Sequence, residues 1–294
     1  FGHLIIGADG IYVSTDAGNT WERKINGMTY TGSTDVFIDT LDNVYVSTWA
    51  GIYFSSNMGL NWEFRDTGLP SKTLYNIIGN SSGELFVNNE VGIYKSSNKG
   101  LNWYLISPST LTYTDDLFID HNNVLYATKW VGAPGVFQSK DDGLSWKHLG
   151  SPGRNAFVVL VNSENELYAG TNIGLYQYSE IDSTWYLGTL YKNLGWIRSY
   201  SLCKDSTIYA ATYSRLWKSE DLGFTWSLIN DYITPFVSEG LNDRIFISDP
   251  LIFSDNCGAD WDTASILKLT ELYTYKGILY GGFSNKIFKS LVTV

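Results

Sequence analysis

Apolar and polar residues alternate with period two in short runs along the chain, and turn-forming residues separate the runs. Residues 36–65 show this most plainly. Val36 to Asp39 reads as a first strand and the turn at Leu41, Asp42 and Asn43 leads into a second over Val44 to Thr48. Ile52 to Ser55 forms a third strand and Asn61 to Arg65 a fourth. β-branched and aromatic residues fill these runs, as a pleated surface favours. Runs with a helical period are hard to find. The pattern predicts an all-β chain made of antiparallel sheets, each from four consecutive strands.

The block recurs. GIYVSTDAGNTW spans Gly10 to Trp21, GIYFSSNMGLNW Gly51 to Trp62, GIYKSSNKGLNW Gly92 to Trp103, and GVFQSKDDGLSW Gly135 to Trp146. Weaker copies are GLYQYSEIDSTW (Gly174 to Trp185), RLWKSEDLGFTW (Arg215 to Trp226) and LIFSDNCGADW (Leu251 to Trp261), with a truncated KIFKS at Lys286 to Ser290. The tryptophans stand about 41 residues apart, closing to about 35 at the end, a spacing typical of one propeller blade. A solenoid competes, but its units contribute fewer strands and leave two capped ends. The first unit begins at its second strand, His3 to Ala8, and the last ends after its third. With eight third strands present, the sequence predicts one β-propeller over residues 1–294, of eight four-stranded antiparallel blades. Seven blades remain if a terminal hairpin lies outside the ring.

The segment between third and fourth strands has the form S-x-D-x-G-x-x-W. Its first copy is Ser14, Asp16, Gly18 and Trp21. The carboxylate of Asp16 or Asp141, or the amide of Asn57, Asn98 or Asn256, is suited to accept bonds from backbone N–H groups of its own turn. Glycine at Gly18, Gly59, Gly100, Gly143, Gly223 and Gly258 permits a backbone conformation costly for other residues. Trp21, Trp62, Trp103, Trp146, Trp185, Trp226 and Trp261 are expected to wedge their rings between neighbouring sheets while each indole N–H finds an acceptor. The fifth copy carries Tyr178, Glu180 and Asp182 where Ser, Asp and Gly are expected, so its turn should be irregular. These segments resemble the Asp-box, or BNR, repeat of sialidase-like, xyloglucanase-like and sortilin-like propellers, and of a photosystem assembly factor family. The resemblance covers nearly the whole chain and implies the fold. It does not carry a function, because the motif lies on the structural side of the blade.

Composition narrows the function classes. Glycine is frequent (28) and proline scarce (6), as many tight turns require. A net charge of −10, a pI near 4.7 and 20 scattered basic residues argue against nucleic acid and against an anionic membrane surface. No apolar run approaches the roughly 18 residues that span a bilayer, so no membrane insertion is expected. The chain opens at Phe1 without a leader and reads as a mature or excised domain. Cys203 and Cys257 are too few for a disulfide framework, and with only His3, His121 and His148 beside them a metal site has poor raw material. No metal and no cofactor are expected.

If strands run outward in order, the tryptophan turns occupy one end of each blade. The loops between second and third strands, with the connections between blades, occupy the other, where ligands are expected. Aligned ends of second strands put Trp49, Trp130, Tyr213 and Phe283 at equivalent positions in alternate units, with Asp9, Glu90, Asn172 and Asp249 between them. Such an aromatic and acidic rim suits sugar rings, although the rings also serve simply to cover blade edges. Connections add Tyr30, Tyr113, Tyr191, Trp196, Arg198 and Tyr232. Expected ligand contacts are therefore Trp49, Glu90, Trp130, Trp196, Arg198, Tyr213, Asp249 and Phe283.

A sialidase needs three arginines around a substrate carboxylate, but Arg23 and Arg65 fall in outermost strands, Arg215 begins a third, and the F/Y-R-I-P signature is absent. No catalytic residue is predicted. The leading expectation is a secreted, periplasmic or cell-surface scaffold that binds a glycan or a protein partner. A xyloglucanase-like hydrolase is the alternative, with Asp35, Glu90, Asp115, Asp116 and Asp249 as available carboxylates. A docking domain of a larger secreted protein is the third reading.

Overall fold

The computed structural model describes residues 4–7, 11–14, 22–129, 131–132, 134–152, 156–161, 165–171, 175–187, 197–203, 207–212, 215–221, 225–230, 237–239, 245–248, 251–254, 256–265, 271–275, 278–283 and 286–289. The chain divides into two compact units, residues 1–150 and 151–294. Every described strand pairs antiparallel with its sequence neighbour within one sheet.

Among the described residues, unit 1 holds four sheets. Sheet 1 contains Leu4–Gly7, Ile11–Ser14 and Glu22–Arg23; sheet 2 contains Ser33–Ile38, Val44–Thr48, Gly51–Ser55 and Glu63–Phe64. Sheet 3 contains Ile77–Gly79, Leu85–Asn88, Ile93–Ser96 and Tyr104–Leu105; sheet 4 contains Thr114–Ile119, Leu125–Lys129, Gly135–Ser139 and Lys147–His148. Leu4–Gly7, Ser33–Ile38, Ile77–Gly79 and Thr114–Ile119 lie side by side in that order. In unit 2, sheets 5, 6 and 7 open with Ala156–Val161, Ile197–Leu202 and Val237–Glu239, again side by side, followed by Glu271–Tyr275 of a three-stranded sheet 8. The result in each unit is a propeller-like array of repeated sheets.

Packing explains the burial pattern. Val44–Thr48 and Gly51–Ser55 are buried at every position, while Ser33–Ile38 is half-buried and Glu63–Phe64 exposed. A middle strand is covered on both faces because a neighbouring sheet lies on each side. Tyr45, Ile52 and Phe54 of sheet 2 meet Ile77, Leu85, Val87 and Tyr94 of sheet 3, with Leu74 of the segment that enters it, in one cluster, and Phe86 and Ile93 meet Leu117, Leu125 and Phe137 of sheet 4 in the next. At about 1.5–3 kcal/mol for each large apolar side chain, these clusters are the main source of stability. In unit 2, Cys203 and Cys257 are buried in an apolar cluster with Tyr209, Leu216 and Ile247.

The turns between third and fourth strands repeat one hydrogen-bond network. Ser55 Oγ donates to Asn57 Oδ1 (2.9 Å) and accepts from Gly59 N (2.8 Å), while Asn57 Oδ1 accepts from Asn61 N (3.0 Å). Ser96, Asn98, Gly100 and Asn102 repeat it, as do Ser139, Asp141, Gly143 and Ser145. Ser254, Asn256, Gly258 and Asp260 do so in unit 2. Two consecutive residues take positive φ in each, Met58–Gly59, Lys99–Gly100, Asp142–Gly143 and Cys257–Gly258, so the strained pair extends to a non-glycine residue. The fifth copy differs. Ser179 pairs directly with Thr184, and Asp182 accepts from the Thr184 and Tyr186 hydroxyls. Of the first copy, Asp16, Gly18 and Trp21 lie outside the described residues, and only the backbone of Ser14 is described.

The tryptophans join sheets where the geometry allows. Trp62 Nε1 donates to Lys24 O (2.8 Å) and Trp62 N to Asn26 O (2.9 Å), both in the segment leaving sheet 1. Trp103 makes the same pair of bonds to Arg65 O (3.1 Å) and Thr67 O (2.9 Å). Gly27 and Gly68 make this approach possible: a Cβ on either would lie 2.2 Å from the Trp62 or Trp103 carbonyl oxygen. The segment leaving sheet 3 runs Ile106-Ser107-Pro108-Ser109 without such a glycine, and Trp146 Nε1 turns to Gly143 O of its own turn instead (3.0 Å). Trp226 and Trp261 are half-buried against clusters of unit 2, and Trp185 packs on Tyr178 of its own sheet.

Candidate functional site

The second-to-third-strand loops of sheets 2 and 3 are short because a residue at or just past the end of the second strand caps them. Thr48 Oγ1 accepts from Ala50 N (3.0 Å) and donates to Gly51 O (2.8 Å). Asn89 Oδ1 accepts from Val91 N (2.8 Å) and Gly92 N (3.0 Å). These caps fix the next residues, Trp49 in sheet 2 and Glu90 in sheet 3, at equivalent points of the rim.

Trp49 is 52% exposed and meets the edge of Tyr75, ring centroids 6.3 Å apart. Glu90 accepts from the Ser71 hydroxyl through Oε1, while its Oε2 is buried without a hydrogen-bond partner. The Glu90 carbonyl accepts from Tyr113 N (3.3 Å). Tyr113 is 57% exposed and has φ of 52°, a conformation unfavourable for a bulky side chain. Burial first, then the nearby charges of Glu90, Tyr113 and Asp115, raise the Tyr75 hydroxyl above its usual pKa. The Tyr94 hydroxyl is raised by burial and by Glu90. Trp49, Tyr75, Glu90, Tyr113 and Asp115 thus form one aromatic and acidic neighbourhood in unit 1.

The first strands enter this end with an irregularity. Pairing passes from Ser33 to Asp35, from Thr114 to Asp116, from Ala156 to Val158 and from Ile197 to Ser199, leaving Thr34, Asp115, Phe157 and Arg198 as extra residues at one repeated position. Such bulges bend a strand and re-aim a side chain, often beside functional sites. The freed backbone is met by second-strand side chains. Ser47 Oγ donates to Asp35 O (3.3 Å) and Thr128 Oγ1 accepts from Asp116 N (3.1 Å); in sheet 3, which has no such bulge, Asn88 Oδ1 accepts from Asn76 N (2.9 Å) ahead of the first strand.

Asp35 ties two sheets together. Its Oδ1 accepts from Val36 N (2.8 Å) and its Oδ2 from Ile77 N of sheet 3 (3.0 Å). Burial outweighs these bonds and pushes its carboxyl up to about 6. Asn88 ties sheet 3 to sheet 4 through Thr114 O (3.0 Å) and Oγ1 (3.1 Å).

Of the expected ligand contacts, the structure brings Trp49 and Glu90 onto this rim. Trp130, Trp196, Tyr213 and Asp249 lie outside the described residues, as do Asp9, Asn172, Tyr191 and Tyr232, and only the backbone of Arg198 and Phe283 is described. Tyr30 is exposed, with its backbone N–H donating to Tyr53 Oη (3.1 Å). Tyr75 was not legible, since it sits in an irregular approach to a short first strand. Among the described residues no group of three or more His, Cys, Asp or Glu is arranged to hold a metal ion, and no helix is long and apolar enough to cross a membrane.

No protein-family model and no curated protein matches the chain. Its fold is similar to virginiamycin B lyase from Staphylococcus aureus, with 13% identity, a TM-score of 0.69 and coverage of 91% of this chain and 98% of that one. It is also similar to the extracellular domain of a protein described as a hybrid two-component system from B. thetaiotaomicron, with 15% identity and a TM-score of 0.67, over 100% of this chain and 46% of that one. A third similar structure is YCF48 bound to D1 peptide, with 16% identity, a TM-score of 0.66 and coverage of 83% and 84%. At these identities the likeness is one of fold: an all-β, propeller-like architecture.

Proposed function

We propose that this chain is a recognition module, one eight-bladed propeller with Asp-box turns, whose second-to-third-loop end binds a protein segment or a glycan. Tyr113 carries the reading. A large, exposed ring is held on a left-handed backbone beside Glu90 at a cost that its own burial does little to offset, and strain of this kind collects at sites of function. Support comes from the similar solved structures, which include extracellular domains and a propeller described with a bound peptide. A secreted, periplasmic or cell-surface setting goes with this reading. In unit 1 the ligand contacts proposed are Trp49, Glu90, Tyr113 and Trp130; in unit 2, taken by itself, they are Trp196, Arg198, Tyr213, Asp249 and Phe283.

An array of glycans and peptides probed with the wild type and with Trp49→Ala tests it. Loss of at least about tenfold in affinity for a captured ligand, at unchanged melting temperature, is the expected result. Equal binding by the variant rejects the rim.

A second reading, hydrolysis of a polysaccharide, is favoured by Asp35, because a carboxyl raised to about 6 is a trait of general acids. Both of its oxygens, however, accept backbone N–H bonds, the arrangement of a tether. Reducing-end release that disappears in Asp35→Asn would reverse this preference.

A further inference from the structure

The unit 1 rim leaves buried hydrogen-bond acceptors unmatched beside an aromatic neighbourhood. Glu90 Oε2 is a buried carboxylate oxygen with no donor, and Asn76 Oδ1, beside Tyr75 at the entry to sheet 3, is a second buried acceptor with none. Each such atom leaves a desolvation cost uncompensated, so the complement is a hydrogen-bond donor. Trp49 meets the edge of Tyr75, Tyr75 feels the charge of Glu90, and the Tyr113 N–H bonds the Glu90 carbonyl, and an aromatic neighbourhood beside a carboxylate is the setting in which a cation gains both π attraction and a charge-assisted hydrogen bond. Neighbouring cations are turned elsewhere: Lys72 Nζ pairs with Asp66 (2.9 Å), and Lys129 Nζ donates to Thr110 O (2.6 Å). The net charge of −10 draws cationic partners toward the molecule at a distance.

We propose that the rim binds a cationic side chain, a lysine ammonium or arginine guanidinium on an exposed segment of a partner protein, with Glu90 as its counter-ion and Trp49 and Tyr113 as its aromatic walls. This rests on the recognition reading and names its partner chemistry. A neutral sugar hydroxyl would satisfy Glu90 Oε2 as a donor but would leave its charge unmatched, which is why the cation is preferred.

Three acetylated, amidated hexapeptides that differ only in a central arginine, lysine or norleucine provide the probe. The readout is the Trp49 indole N–H resonance of the full chain, identified by its loss in Trp49→Phe. The arginine or lysine peptide is expected to shift it and the norleucine peptide to leave it in place. Glu90→Gln, with the remaining indole resonances unmoved as a folding control, should weaken the cationic peptide by about tenfold or more. Equal shifts by all three peptides, or wild-type affinity in Glu90→Gln, would overturn the proposal. If a neutral oligosaccharide moves the resonance and no cationic peptide does, the cation assignment fails while the recognition rim stands. If neither moves it, both fail.

Discussion

Tyr113 holds a backbone conformation that asparagine or glycine adopts at little cost and tyrosine does not. Its N–H is engaged with the Glu90 carbonyl, so the surrounding loop fixes this geometry. The ring, more than half exposed, recovers little of the cost by burial. Tyr113→Asn should therefore leave stability unchanged or raise it by up to about 1 kcal/mol in urea denaturation, while weakening capture of any ligand held at the rim. A clear fall in stability would show instead that the ring anchors its loop by packing. Glycine spacing made the tryptophan turns legible, but nothing in the residues around Tyr113 announces a positive φ. Its conformation follows from how the connection docks on the neighbouring sheet.

At the level of elements, the bond between sheets is made in the segments leaving Glu22–Arg23 and Glu63–Phe64. Gly27 and Gly68 press against the carbonyls of Trp62 and Trp103, while the backbone and indole N–H groups of those tryptophans bond back. Two costs of replacing Gly68 by alanine separate cleanly. Gly83 also has positive φ (79°), but a Cβ there would meet nothing within 4 Å, whereas at Gly68 (97°) it would meet Trp103 O at 2.2 Å. Gly83→Ala should cost about 1 kcal/mol for backbone conformation alone, and Gly68→Ala at least about 1 kcal/mol more, because the sheets must part. Equal costs in thermal unfolding would mean that the contact is easily relaxed. Trp146 lacks this joint, so native-state hydrogen exchange should show sheet 4 of unit 1 opening at lower free energy than sheet 2 or 3. The sequence marked every described tryptophan turn. It did not mark the joint, because Asn26-Gly27 and Thr67-Gly68 sit outside the repeated motif.

Across the whole molecule, repetition is what made the fold legible, since one strand pattern read eight times averages out local ambiguity. The rim was legible only where a side chain follows a strand end in register, as Trp49 and Glu90 do. Charge adds a property that neither repeat nor rim reveals by itself. Asp35 binds its proton more tightly in the folded chain, with its carboxyl near 6 against 3.8, so its contribution is fully present below pH 3.8 and is lost as pH rises through about 6. Asp141 and Asp182 act oppositely. Hydrogen bonds from the Ser145 hydroxyl and N–H hold Asp141 low, and the Tyr186 hydroxyl, with Ser179 and Thr184, holds Asp182 down at about 2. Both contributions exist above pH 3.8; that of Asp182 fades as pH falls toward about 2, and that of Asp141 is lost in the same direction. Self-repulsion at a net charge of −10 also relaxes as pH drops toward the pI near 4.7. Together these effects put maximum stability on the acid side of neutrality, at about pH 4–6. Calorimetry at pH 3, 5 and 7.5 should give the highest melting temperature at pH 5. Asp35→Asn, which keeps an acceptor for Ile77 N but removes the titration, should flatten the decline from pH 5 to 7.5 without altering the acid limb. If the variant keeps the full neutral decline, Asp35 is not its source and the overall charge is.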